Sequence, residues 1–109
     1  MKKLLFALLL CSLSFSAHAD KQADRKAFIK DLIKQGYIQK VDDSGSLPHL
    51  WVKPRFYSLN FDTKAQMVNV VYAYYITANP NAVMVVLRDS KTGKEIGMYA
   101  PLYGGLKLN

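Results

Sequence analysis

His49 stands two residues before the only tryptophan of the chain, Trp51, and downstream of an oxygen-rich run, Asp42-Asp43-Ser44-Gly45-Ser46. These are the residue types of acyl-transfer chemistry. A serine such as Ser44 or Ser46 would attack, the imidazole would take its proton, and Asp42 or Asp43 would orient the ring. Nothing in the spacing fixes that geometry, and no Gly-x-Ser-x-Gly turn presents a nucleophile. A structural or surface histidine is therefore the expectation, and an enzyme using His49 is the outlying alternative. Other chemistries fare no better. A zinc site needs three or four ligands at set spacing. The Asp42–Ser46 run lacks the alternating carboxylates and distant glutamate of a calcium loop. Glu95 is the only glutamate, and the aspartates fall mostly in turns or at helix starts, so an opposed pair of glycosidase carboxylates is not in view. Gly93-Lys94 lacks the glycine-rich loop into a helix that cradles phosphate. The chain reads as a non-enzyme without metal or cofactor.

Binding chemistry is better represented. Trp51, Phe56, Tyr57, Tyr72, Tyr74, Tyr75, Tyr99 and Tyr103 are many aromatics for a chain of 109 residues. Such rings either fill a small core or anchor an interface. Most belong in the core, with Tyr74 and Tyr103 expected outside it. Lysines and arginines crowd residues 21–34, and Lys53-Pro54-Arg55 and Lys91–Lys94 add smaller clusters. His49, Trp51, Arg55, Tyr74 and Tyr103 are thus the candidate binding residues. Basic clusters of this kind serve an anionic partner or simply keep the chain soluble.

The elements that must position these residues follow from periodicity. Ala23, Ala27, Phe28, Ile29, Leu32 and Ile33 recur at helical spacing, and Gly36 supplies the left-handed residue that ends a helix, with Tyr37 folding back on Leu32. Residues 37–41 and 47–52 read as two strands of a hairpin around the Asp42–Ser46 turn, with Pro48 at a tolerated early position. Pro54 ends the second strand. Asn60 or Asp62 then caps a helix, and Thr63 with Gln66 has capping-box spacing. Phe61, Ala65, Val68, Val71, Tyr72, Tyr75 and Ile76 continue the helical period, although residues 67–77 are also rich in strand formers. Asn79-Pro80-Asn81 is a turn. Residues 83–88 read as a strand buried on both faces, Asp89–Lys94 as a hairpin turn, residues 95–100 as the returning strand, and Leu106 and Leu108 as an edge strand. The expected fold class is α+β: two helices packed on one face of a four- to five-stranded antiparallel sheet, in the order helix-hairpin-helix-hairpin.

The first residues set the compartment. Lys2 and Lys3 precede an apolar run from Leu4, and Ala17-His18-Ala19 offers small residues at the positions a signal peptidase reads. The run is shorter than the roughly 20 apolar residues of a membrane span. Lipidation at Cys11 is disfavoured by the bulky Leu10 before it. Residues 1–19 therefore read as a cleavable signal peptide and residues 20–109 as a single small α+β domain, periplasmic or secreted. Removing Lys2 and Lys3 takes the net charge from +7 to +5. It also takes Cys11, so no disulfide can staple the domain, and an ordinary core must hold it. The expected function is a small non-enzymatic envelope protein, a binding or accessory module contacting a protein, an anionic cell-wall component or a lipid surface. A secreted inhibitor or effector acting on an external target is the alternative. Nucleic acid is not expected in that compartment, and no transmembrane segment is expected in the mature chain.

Overall fold

The computed structural model describes residues 21–109; the signal-peptide reading lies outside the described residues. Helix α1 (Lys21–Lys34) buries Phe28, Ile29 and Leu32. Its flanking Ala23, Ala27 and Ile33 remain exposed, so the buried stripe is narrower than the spacing predicts. The helix ends as Gly36 turns to φ 83°. Gly36 N–H then donates to Ile33 O at 3.1 Å and Tyr37 N–H to Leu32 O at 3.0 Å, the paired bonds of a Schellman stop.

Strands β1 (Ile38–Asp42) and β2 (His49–Val52) form the first hairpin. Pro54 does more than end β2: it opens a short helix, α2 (Pro54–Tyr57). Proline at a first helical turn costs nothing, because its missing N–H would have had no partner there. The long helix α3 (Phe61–Ala78) follows. Asn60 caps it, its side chain accepting from Thr63 N–H at 2.8 Å. Residues 67–77 are helical despite their strand-forming composition, since Met67, Val68 and Val71 reach the core together only at helical spacing. Strands β3 (Val85–Asp89) and β4 (Glu95–Ala100) form the second hairpin. A 3-10 turn (Pro101–Tyr103) leads to β5 (Gly105–Leu108).

The five strands lie in the order β1-β2-β3-β4-β5. The expectation of two helices on a purely antiparallel sheet is corrected on both counts: among the described residues there are three α-helices, and β2 and β3 pair in parallel. The reason for the parallel pair is α3. Its 18 residues run about 27 Å at 1.5 Å per residue. They carry the chain from the end of β2 back to its beginning, where Asn79 and Ala82 lie by Pro48 and Ser46. The second hairpin must therefore start beside the start of β2, which is a parallel crossover. The other adjacent pairs are antiparallel.

All three helices bury residues on one face of the sheet, against Ile38, Leu50, Val52, Val85, Leu87, Tyr99 and Leu106. Residues 83–88 are not buried throughout: Val83 is exposed and precedes β3, while Arg88 is half-buried. Among the described residues, no helix is long and apolar enough to cross a membrane.

Two contacts lock the frame. Tyr57 of α2 donates its hydroxyl to Asp89 Oδ1 at 2.8 Å, while Asp89 Oδ2 accepts from Lys91 and Thr92 N–H in the β3–β4 turn. Burial, with the bond to Asp89 and its charge, pushes the Tyr57 hydroxyl up to about 12. The same hydroxyl leads the causes that hold Asp89 below the usual carboxylate range, ahead of the N–H of Thr92. The second contact is steric. A Cβ on Gly97 would strike the Lys107 carbonyl oxygen and come within 3.0 Å of Leu108 Cδ2. Glycine there lets β5 close on β4.

Gly97→Ala should push β5 away from β4 and cost about 1–3 kcal/mol, read as a lower urea midpoint. For Tyr57, a raised folded value means stability present below the unfolded value of 10.0 and lost as pH rises through about 12. Tyr57→Phe should thus lower the denaturation midpoint at neutral pH, with the gap to wild type closing between those two values. A gap that persists unchanged above them would mean the bond to Asp89 does not stabilise the fold.

Candidate functional site

The face of the sheet opposite the helices carries, by register, Lys40, His49, Trp51, Val86, Arg88, Met98 and Lys107. Lys40 reaches that face through an irregularity. The pairing Ile38↔Val52 is followed by Lys40↔Trp51, a bulge of one residue in β1. Without it, Lys40 would fall opposite Leu50 and point into the core; the bulge turns it onto the indole instead. Its Nζ lies 4.9 Å from the Trp51 ring centroid. Arg88, opposite Trp51 in the parallel pair, places its Cζ 6.0 Å from the same ring. A second bulge, between Leu87 and Arg88, brings Glu95 opposite Arg88 in β4.

The guanidinium of Arg88 is fixed by the fold. Its Nε donates to His49 Nδ1 at 2.9 Å and one terminal nitrogen donates to Gly93 O at 2.7 Å. Gly93 has φ 75°, and the position of its absent Cβ is 3.7 Å from the Trp51 ring, so the turn rests against the indole edge. Because His49 accepts at Nδ1, its proton is on Nε2. That arrangement differs from a hydrolytic triad, in which Nδ1–H would donate to a carboxylate. Asp42, across from His49 in β1, is engaged otherwise: its Oδ1 accepts from Ser44 N–H at 3.0 Å. The Ser44 backbone and hydroxyl bonds hold its carboxyl below the usual range, and the charge of Lys40 adds to this. Asp42, Ser44, Gly45, His49, Trp51 and Arg88 line a cleft of about 250 Å³. The Trp51 Nε1 donor is buried and has no partner among the described residues.

The five candidate residues part company here. His49 and Trp51 share the cleft. Arg55 is scaffolding: its terminal nitrogen donates to Gln35 O at 2.6 Å and its Cζ stacks 4.5 Å over the Tyr37 ring, joining α2 to the end of α1. Tyr74, expected outside, is half-buried, edge-on to Tyr75 at 5.0 Å, and its carbonyl accepts from Gln22 of α1. Tyr103 is indeed exposed, at 64%, beside Leu102 at 86%, on the 3-10 turn. Lys40 and Arg88 were not among the candidates. The sequence sign for Arg88 is its alternation with Val86 inside an apolar run, which marks a face that is not wholly enclosed. Lys40 had no sign, since a regular strand would turn it inward. Among the described residues, no group of three or more metal-ligating side chains is assembled.

Compared with protein families, curated proteins and solved structures, the chain matches none.

Replacing Arg55 by Ala should lower stability by about 1.5–3 kcal/mol, the range for a lost hydrogen bond from a charged group. It should leave the fluorescence maximum of Trp51 in place. A shifted maximum would mean Arg55 supports the cleft as well as the scaffold.

Proposed function

We propose that the protein is an exported, non-enzymatic binding module of the cell envelope, an accessory protein that contacts a protein or cell-wall component through the sheet face around Trp51. The observation that carries this reading is the set of side chains on that face: one indole flanked by two cations, with Arg88 already oriented by His49 and Gly93. Cation–π contacts contribute about 0.5–1 kcal/mol each at exposed sites, which is little for stability. The fold's apolar core lies on the other face. A pre-oriented arginine beside an aromatic ring is the composition of interface anchors. The basic balance of the chain suits an anionic surface as partner. Export rests on the leader-like residues 1–19.

One observation favours a secreted inhibitor or effector as the second reading. Leu102 and Tyr103 project from a turn, the form of a segment that enters a target's cleft.

Tagged protein, expressed from its complete coding sequence, should be retained in the envelope fraction and capture a defined component there. Trp51→Ala or Arg88→Gln should abolish the capture, and Leu102→Asp should leave it intact. Loss with Leu102→Asp alone, together with recovery from the medium, would replace the accessory reading by the inhibitor one. Capture indifferent to all three substitutions would sink both.

A further inference from the structure

The cleft beside Trp51 holds about 250 Å³. That is below the roughly 300–1,000 Å³ of sites that enclose a whole drug-sized ligand. It is the size of a single unit or end group of something larger.

Its donors point to what that unit is. Two of the three guanidinium nitrogens of Arg88 are used by His49 and Gly93; among the described residues, the third has no partner. It offers two N–H groups in a plane the fold has already set. His49 adds its Nε2–H, and Lys40, exposed with its Nζ 4.9 Å from the Trp51 ring, adds an ammonium beside the cleft. The opposing charge, Asp42, is engaged by Ser44. Two carboxylates stand near the two cations, but Asp42 is already hydrogen-bonded and Glu95, opposite Arg88 in β4, neither lines the cleft nor bonds the guanidinium, so the free nitrogen of Arg88 is open to an added negative group. Trp51, half-buried, supplies a flat apolar wall. A charged oxyanion satisfies the donors, and a ring carrying it satisfies the wall.

We infer that this cleft binds an acidic sugar unit, its carboxylate or phosphate on Arg88 and His49 and its ring against Trp51. The inference rests on the binding-module reading and names the chemistry its partner presents. Arg88 makes the anion contact, Lys40 strengthens it from beside the cleft, and Trp51 excludes water from one side. Uronic acids and sugar phosphates share this chemistry.

Trp51 is the only tryptophan, so its emission reports the cleft directly. The protein, expressed from its complete coding sequence, is titrated with D-glucuronate, with glucose 6-phosphate and with uncharged glucose. At least one acid should change the emission saturably while glucose does not, and the tighter of the two identifies the carboxylate or the phosphate source. Rising salt should weaken that binding. Arg88→Gln should weaken it by roughly tenfold or more, the expected loss of a charge-assisted hydrogen bond. Lys40→Gln, which leaves the Arg88 bonds in place, should weaken it by about two- to fivefold, as for a partly screened charge. Lys30→Gln removes the same charge from α1 and should change nothing. Glucose acting as well as the acids, neither acid acting, or both cleft variants retaining wild-type affinity would overturn the inference. If no acid binds but Trp51→Ala still abolishes envelope capture, the acidic-sugar inference fails and the binding-module reading survives. If an acid binds yet capture is indifferent to Trp51→Ala, the ligand chemistry stands and the accessory reading fails.

Discussion

Among the described residues the helices cover one face of the sheet only, and from that constraint the rest of the fold follows. The cysteine count rules out a disulfide anywhere in the chain, so the apolar face must close on α1, α2 and α3 to hold the fold. α3 does this while carrying the chain back along the sheet, and that return forces the one parallel pair. The pair in turn places β2 next to β3, and so His49 next to Val86 and Trp51 next to Arg88. Had the second hairpin joined the first without the crossover, Trp51 and Arg88 would not be neighbours. The surface cluster is a consequence of how the core is closed.

The opposite face has to protect itself with its own side chains. Val86 is only 8% exposed although it lies on that face, flanked in register by His49 and Met98. Trp51 is framed by Lys40, Arg88 and Gly93. Long cationic side chains suit this role, since their stems cover apolar surface while their charges stay wet. The two bulges refine it. One turns Lys40 outward, and the other breaks the β3–β4 register next to Arg88. A bulge leaves a residue unpaired and strengthens local twist, and both occur beside the cluster.

Local signals in the sequence carried most of the elements. The Gly36 stop, the Asn60 cap and the Asp89–Lys94 turn each depend on residues within a few positions, and each forms as its residue types require. The period of Val68 and Val71 prevailed over strand propensity because α3 has a core to face. What was not legible is what depends on distant partners. The parallel pairing follows from helix length and direction, which strand formers do not record. α2 was hidden because Pro54 serves equally as strand terminator and helix opener. For the site, the alternation of His49 with Trp51 put two members on one face correctly. Arg88 lies 39 residues from His49 in sequence, and only the topology brings its Nε to the imidazole. Lys40 required a bulge, which no pattern in residues 38–42 announces.

The two arginines that approach aromatic rings show why residue type alone could not separate scaffold from site. Arg55 stacks on Tyr37, which is itself buried, and donates to the carbonyl of Gln35 just past α1. A cation at that end of a helix meets the negative end of the dipole, so the contact has its full complement within the fold. Arg88 approaches Trp51 more loosely, at 6.0 Å, and is fixed by a neutral imidazole and a turn carbonyl. Neither of those partners carries a compensating negative charge. On the same face, Glu95 stands opposite Arg88 across the bulge without bonding it, and Asp42, across from His49, is engaged by Ser44. Orienting a guanidinium without neutralising it costs stability that a structural role would not require, because a charge is best satisfied by an opposite one. The arrangement at Arg88 is therefore that of a group held ready for an anion, and the arrangement at Arg55 is that of a group already at rest.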